Sequence, residues 1–259
     1  MNIIVCVKQV PNPENANFNE KSNTVMREGV KAIINPLDLN AIEEALRLRD
    51  KTGGRVTALS MGIPEASQLL KEAVGMGVDE AVLLSDPLFA GADTLATSYT
   101  LSKGVQKKGN YHLIICGKQS IDGDTAQVGP SLAEKLGIPH ITCVDKIEET
   151  GEGFIKCRRI ADEGYEIVQM KLPGLITVVK GINEPRLPTL KGIMRSKKAE
   201  IPIWNCEDIG ADAGQCGFSG SPTKVFKSFV PDRRVDSRII AGSPEEQAAI
   251  LLEELKKAL

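Results

Sequence analysis

The cysteine pattern lacks what a metal site would need. Six cysteines, at positions 6, 116, 143, 157, 206 and 216, never form a C-x-x-C pair, and the two histidines, His112 and His140, stand far apart in sequence. Zinc ribbons and ordinary iron–sulfur spacings are therefore excluded, and no metal site is expected. Aromatic residues are only 4% of the chain, too few for a base-stacking platform. A pI near 5.9 removes the electrostatic case for bulk nucleic-acid binding. Apolar runs stop at five residues, over 3–7 and 248–252, so no membrane span is expected. The opening Met1-Asn2-Ile3-Ile4-Val5-Cys6-Val7-Lys8 has no basic n-region and no full h-region, and reads as a strand, not a signal peptide. Cys6, Cys116 and Cys143 sit inside apolar runs as small hydrophobes, which fits a reduced, cytoplasmic setting.

Familiar catalytic signatures are missing too. There is no G-x-G-x-x-G after the first strand, no G-x-x-x-x-G-K-[ST], and no G-x-S-x-G elbow. Neither histidine is flanked by a plausible nucleophile, so Ser/His or Cys/His catalysis is not expected. Any redox chemistry would then belong to a bound cofactor.

What remains is an ordinary globular composition with ample core: 259 residues, 42% hydrophobic, 25% charged, net charge −2. Short, continuously apolar runs at 3–7, 56–60, 81–84, 113–116 and 141–144 read as parallel strands covered on both faces. Helical patterns lie between them. Asn35 as N-cap and Pro36 at the first position open one that ends at Gly53-Gly54, and three more span 64–76, 93–108 and 125–136. The alternation predicts a doubly wound, mostly parallel α/β sheet with helices on both faces. A hairpin follows over 153–160 and 164–172, then a strand over 175–179. We expect a nucleotide-binding domain over 1–204, a flexible linker or arm over 205–242, glycine-rich through 222, and a terminal helix over 243–259. Ser243-Pro244-Glu245-Glu246 forms a capping box, and Ala248, Leu251, Leu252, Leu255 and Leu259 make an apolar stripe. That stripe packs either on its own domain or on a partner.

In open α/β sheets, ligands bind beyond the carboxyl ends of the strands, near the reversal in strand order. The most informative segment arriving there is Gly117-Lys118-Gln119-Ser120-Ile121-Asp122-Gly123-Asp124-Thr125-Ala126-Gln127-Val128-Gly129. A glycine-containing loop running into a helix offers backbone N–H groups and a positive dipole end to a pyrophosphate. Thr125 adds a hydroxyl, and Gln127 an amide within reach of a ring or ribose. Asp122 and Asp124 would repel a phosphate unless they meet ribose hydroxyls or cap backbone amides, and spacing alone also allows plain helix caps.

At these residues the chain resembles the β subunit of electron transfer flavoproteins (ETF). The resemblance runs through Val5-Cys6-Val7-Lys8-Gln9-Val10-Pro11, Asn35-Pro36-Leu37-Asp38 with Glu44-Ala45-Leu46, the segment from Gly117 to Asp122, and Lys171-Leu172-Pro173-Gly174-Leu175-Ile176-Thr177. It is completed by Asn183-Glu184-Pro185-Arg186, Thr189-Leu190-Lys191-Gly192-Ile193-Met194 and Lys197-Lys198. It implies an adenine-nucleotide hydrolase-like fold and pairing with an FAD-containing α subunit. In the family's respiratory branch the β pocket holds AMP. In the bifurcating branch it holds a second FAD that takes a hydride from NADH and sends electrons to ferredoxin or flavodoxin and, through the α-subunit FAD, to a flavin-dependent dehydrogenase of acyl-CoA or lactate type. The stretch from Asp122 to Pro130, and Phe89-x-Gly91-Ala92-Asp93-Thr94, resemble the bifurcating branch, with small residues at Gly123, Ala126 and Gly129 leaving room for a dinucleotide. Ala90 stands where bifurcating relatives often carry glycine.

Carried over residue by residue, the resemblance places nucleotide contacts at Cys6, Asn35, Asp38, Met61, Asp122, Gly123, Asp124, Thr125, Ala126, Gln127, Val128 and Gly129. It puts Phe89, Gly91, Ala92, Asp93 and Thr94 on the NAD(H) side. No residue need be catalytic, and the resemblance implies a chain that acts only as a subunit of an NADH-oxidising complex. Residues 181–203 resemble the family's recognition loop, with Leu190, Ile193 and Met194 ringed by Lys191, Arg195, Lys197 and Lys198 as a dehydrogenase-docking patch; from the residues alone 191–198 also reads as a solvated helix face. The terminal helix would contact the α subunit's flavin domain. Two alternatives stay open: a non-bifurcating β subunit with structural AMP, and an unrelated adenine-nucleotide hydrolase or sensor, although the chain has neither an S-G-G-x-D-S loop nor a Walker lysine.

Overall fold

The computed structural model describes residues 1–12, 18–19, 24–25, 32–226 and 239–258. All four residues of β1 (Ile3–Cys6) are buried, and their side chains alternate between two apolar layers. Two small antiparallel ladders follow: β2 (Gln9–Pro11) with β5 (Ala32–Ile34), and β3 (Phe18–Asn19) with β4 (Thr24–Val25). The chain then alternates as expected through α1 (Pro36–Thr52), β6 (Val56–Met61), α2 (Ser67–Met76), β7 (Glu80–Leu84), α3 (Thr94–Lys108), β8 (Leu113–Gly117) and α4 (Val128–Leu136). Beyond it lie β9 (His140–Gly151), β10 (Phe154–Ala161), β11 (Gly164–Lys171), β12 (Gly174–Val178), α5 (Leu190–Lys198), β13 (Ile203–Trp204) and α6 (Pro244–Ala258).

Among the described residues, nine strands form one sheet in the order β11-β10-β9-β12-β8-β1-β6-β7-β13. From β9 to β13 the neighbours run parallel, while β10 and β11 add an antiparallel extension. Ile3 and Val5 face α1 and α2 together with Ile42, Leu46 and Leu70. Ile4 and Cys6 face α3 and α4 together with Leu101, Val105 and Leu132. Burial on both faces is what uninterrupted apolar strands require, so the doubly wound reading holds.

Several local expectations change. The strand expected over 141–144 is twelve residues long, because β9 carries on past the end of β12 to pair with β10. Residues 64–66 form a 3-10 turn ahead of α2 rather than its first turn. The helix expected from 125 begins at Val128. The stretch 205–222 is not a flexible connection. It buries Cys206, Ile209 and Cys216 in the layer under α3, and the Asp212 amide donates to the Tyr99 hydroxyl (2.9 Å). Its glycines allow that close packing; Gly217, at φ +48°, is surrounded by the carbonyls of Leu88 and Ala90. Residues 227–238 of the expected arm lie outside the described residues.

The capping box at α6 forms, with Ser243 N–H donating to Glu246 Oε2 (2.8 Å) and Glu246 N–H to Ser243 Oγ (3.3 Å). Leu251, Leu252 and Leu255 stay about half exposed and join neither core layer. The described contacts therefore give no support to packing of this stripe on its own domain.

Candidate functional site

Strand order decides where the site lies. From β1 the chain builds outward through β6 and β7, then returns to lay β8 on the other side of β1. The reversal falls between the carboxyl ends of β1 and β8, where a crevice opens in folds of this kind. Lys8 leaves β1 there, residues 118–127 leave β8, and α1 begins beside both.

Asn35 was expected to cap α1, but its side chain makes no cap hydrogen bond. Its Nδ2 donates to Gln119 O (2.9 Å) and its Oδ1 accepts from Ile121 N–H (3.2 Å), while its own amide donates to Lys8 O (2.9 Å). An amide side chain is needed because one donor and one acceptor must be met at once. Asn35 thus joins β1, α1 and the loop after β8, and at 1% exposure it is part of the scaffold.

Asp38 has a related role. It is 6% exposed and accepts from Lys8 N–H (2.8 Å). Burial raises its pKa to about 7 against the lowering pull of the Lys8 amide, the Asn35 side chain and the Gly117 amide. Gly117 is the counterpart across the crevice: a Cβ there would lie 2.4 Å from Asp38 Oδ1 and 2.9 Å from the Leu37 carbonyl carbon. A raised carboxyl pKa means that the folded state holds a proton the unfolded state has already lost. Its contribution is fully present below the model-peptide range near pH 4 and fades as pH rises to about 7. In Asp38→Asn that titration is gone. The stability of wild type relative to this variant is therefore expected to fall between pH 4 and 7, by at most about 1.4 kcal/mol per pH unit. Urea midpoints of both proteins across that range check it, and parallel curves would refute it.

The two loop carboxylates are occupied, although not as helix caps. Lys8 Nζ contacts Asp122 Oδ1 (2.7 Å) and Oδ2 (2.9 Å) and Ser120 Oγ (3.2 Å). Burial would raise the Asp122 pKa, but the Lys8 ammonium and the Ser120 hydroxyl together hold it below the usual value. Asp124 Oδ1 accepts from Gln119 Nε2, and its amide donates to Ser120 O (2.9 Å). Asp124 and Ala126 adopt left-handed φ values of 53° and 54°, a conformation costing roughly 1–2 kcal/mol each for non-glycine residues and concentrated at functional sites. Gly123 and Thr125 are exposed on the loop, and Gln127 precedes α4 without capping it. The first turn of α4 is thus left without a side-chain cap. Gly129 was expected to admit a ligand. Instead a Cβ there would meet Thr177 Cγ2 at 2.5 Å, so its small size serves the packing of α4 on the sheet.

The rest of the expected set divides. Thr94 Oγ1 donates to Gln127 Oε1 (2.9 Å), which brings the start of α3 to the same rim. Asp93 caps α3 through Leu95 and Ala96 N–H (2.9 and 3.1 Å) and also accepts from Thr223 Oγ1 (2.7 Å). Gly91 lies against Phe218, Ala92 is half-buried, and Phe89 is buried in the core. Met61 ends β6 at the rim, while Val128 packs partly into the layer under α3 and α4. Cys6 faces the same layer beside Cys116, whose pKa is raised by the Cys6 thiol and by burial.

The expected docking residues lie apart from this rim, against the C-terminal end of α2. On α5, Leu190, Ile193 and Met194 are exposed together, with Lys191, Lys197 and Lys198 around them. Arg195 is committed within the chain, donating to Val74 O (3.1 Å) and Val78 O. Sequence reasoning missed what holds this segment. Asn183 Nδ2 donates to Asn40 O (3.0 Å) and Glu44 Oε2 (2.9 Å), and Arg186 pairs with Glu43 (2.8 Å) and Asp50 (3.1 Å). A pair of glutamates on the buried side of α1 was the only available signal. It missed Lys8, Ser120 and Gln119 as well.

Among the described residues, no three His, Cys, Asp or Glu side chains are placed to hold a metal ion, and no helix is long and apolar enough to cross a membrane.

Comparison with known proteins supplies the family. Residues 22–209 match the electron transfer flavoprotein domain. The chain is 46% identical over 257 residues to the electron transfer flavoprotein subunit beta of Clostridium acetobutylicum, covering 99% of this chain and 98% of that protein. It is 44% identical over 259 residues to the caffeyl-CoA reductase-Etf complex subunit CarD of Acetobacterium woodii, covering 99% and 98%. Against the protein FixA of Bradyrhizobium diazoefficiens it is 41% identical over 262 residues, covering 98% and 91%. A doubly wound sheet with its crevice between β1 and β8, matched over most of its length by these proteins, is a β subunit of the electron transfer flavoprotein family.

Proposed function

We propose that this β subunit belongs to an electron-bifurcating flavoprotein and holds a complete FAD at the rim between β1 and β8. The observation that carries the reading is the loop 118–127. Both its carboxylates are engaged by Lys8 and Gln119, its glycine at 123 is exposed, and it runs into a helix start with no side-chain cap. Such a surface suits a diphosphate, because the amides of a helix start and its dipole favour negative charge. Thr125 and the loop amides of Gly123 and of Thr125 to Val128 would hold the diphosphate, with Asn35 and Asp38 fixing the wall behind them, while the Asp124 amide stays on Ser120 O. Thr94 and Gln127 would border the NAD(H) side.

Bound there, FAD would supply hydride acceptance from NADH and division of the electrons between ferredoxin or flavodoxin and the α-subunit FAD. The chain itself supplies orientation: it needs no acid, base or nucleophile, only a rigid rim that leaves the ring face open. The relative that is a subunit of a caffeyl-CoA reductase-Etf complex supports assembly of this chain into a complex with a redox enzyme. The exposed Leu190, Ile193 and Met194 on α5, with lysines around them, suit transient docking of that dehydrogenase. The exposed stripe of α6 suits the α subunit.

Acid extraction and chromatography of the αβ complex test the proposal. Two FAD per heterodimer are expected, with flavin bleached by NADH in the absence of dehydrogenase. One FAD and one AMP would replace this reading with the AMP-binding type.

A further inference from the structure

The loop presents a paradox that its geometry resolves. A phosphate-binding rim should not carry acidic residues, yet Asp122 stands in the middle of this one. Its partner comes from another strand. The Lys8 backbone is fixed on both sides, with its N–H on Asp38 Oδ2 (2.8 Å) and its carbonyl accepting from Asn35 N–H (2.9 Å). Its ammonium therefore has a set reach, and it spans the crevice to Asp122 (2.7 and 2.9 Å) and Ser120 (3.2 Å). A Cβ on Gly123 would lie 3.9 Å from Lys8 Nζ, so the cation sits beside the exposed turn of the loop.

We propose that Lys8 is a positioning residue for the nucleotide phosphates: it masks the Asp122 carboxylate and ties the loop after β8 to the end of β1. Resting on the proposed nucleotide site, this adds the residue that makes an acidic loop fit for an anion. The physical reason is short-range. An unmasked carboxylate beside a phosphate repels it, and with the Asp122 side chain about one-third exposed that repulsion is somewhat larger than the value of an exposed ion pair. The pair itself is not the stabilising element; its absence is the cost.

The test titrates the full chain, freed of bound nucleotide, with FAD, AMP and adenosine by calorimetry. Lys8→Met should weaken whichever phosphate-bearing nucleotide binds by about tenfold. Adenosine, which has no phosphate, should bind unchanged. Adding Asp122→Asn to Lys8→Met should recover most of the lost affinity, and Lys8→Arg should stay near wild type. An equal loss for adenosine, a double variant no better than Lys8→Met, or no loss at all would overturn the proposal. Binding of AMP but not FAD with the same pattern would retire the FAD reading and leave the role of Lys8 standing. If Lys8→Met fails to fold, the comparison passes to Asp122→Asn. Removing a masked carboxylate should leave phosphate affinity within a factor of about two, and a larger loss would show Asp122 to be a ligand and overturn the masking role.

Discussion

Gly117→Ala is expected to lower stability by about 3 kcal/mol and to empty the proposed nucleotide site at the rim. Overpacking a close-packed interior costs about 1–3 kcal/mol, more where the neighbours cannot retreat. Here they are the Asp38 carboxylate, 2.4 Å from the new Cβ, and the Leu37 backbone at 2.9 Å. Asp38 cannot swing away without giving up the Lys8 amide, and Leu37 lies in the first turn of α1. One methyl group would therefore push α1 off the end of β8 and separate the two sides of the crevice. Urea unfolding followed by circular dichroism, with nucleotide content of the purified protein, measures both effects. Gly123→Ala is the control: its Cβ would meet nothing nearer than Ser120 Oγ at 3.3 Å, and its midpoint should move little. Equal midpoints for wild type and Gly117→Ala would show that the crevice walls are not set by this contact.

Arg186→Met is expected to cost about 2 kcal/mol and, with α5 as the proposed docking element and the β1–β8 rim as the proposed nucleotide site, to impair electron delivery to the dehydrogenase while leaving nucleotide content intact. The Glu43 side chain is only 4% exposed, so removing Arg186 leaves a buried carboxylate short of its partner. Breaking a buried pair costs about 3–5 kcal/mol. The figure is smaller here because Arg47 remains 2.8 Å from Glu43 and Arg186 is itself one-third exposed. Burial raises the Glu43 pKa, but Arg186 and Arg47 outweigh it and bring the value below normal. The carboxylate form is thus favoured on folding. This stabilisation is present above the unfolded value of 4.5 and is lost as pH falls through the lower folded one. The deficit of Arg186→Met should accordingly shrink toward zero in acid. Replacing both partners, Glu43→Leu with Arg186→Met, should recover part of the stability. A deficit that stays constant down to pH 3 would mean that lost packing, not charge, explains the variant.

Position matters in that second case. α1 begins at the crevice, where Asn35 meets Gln119 and Ile121, and carries Glu43, Glu44 and Asp50 farther along, where they hold Asn183 and Arg186. One helix therefore places both the wall of the crevice between β1 and β8 and the approach to α5. The Arg186 variant separates the two because its contacts on α1 lie eight residues or more beyond Asn35, at least two helical turns away.

Much of this was legible before any coordinates. Continuous apolar runs identified the parallel strands, because burial on both faces leaves no polar alternation to preserve. The loop after β8 stood out because glycine and a helix start recur wherever phosphate meets backbone. Local rules failed where a side chain had a distant partner. Asn35 looked like a cap and serves as a cross-link to the loop; Asp122 reads as a cap or a ribose contact and pairs with a lysine more than a hundred residues earlier. The glycine-rich stretch over 205–222 looked flexible because composition does not show that Cys206 and Cys216 find a pocket under α3.

By itself, the amino-acid sequence determined the layer architecture, the alternation of strands and helices, and the segments that must meet at the carboxyl rim, since each follows from periodicity within a dozen residues. Only the tertiary structure decided which charges on that rim neutralise one another and which glycines serve packing rather than a ligand. Those outcomes depend on contacts between strands far apart in the chain, whose partners are chosen by the order of the sheet.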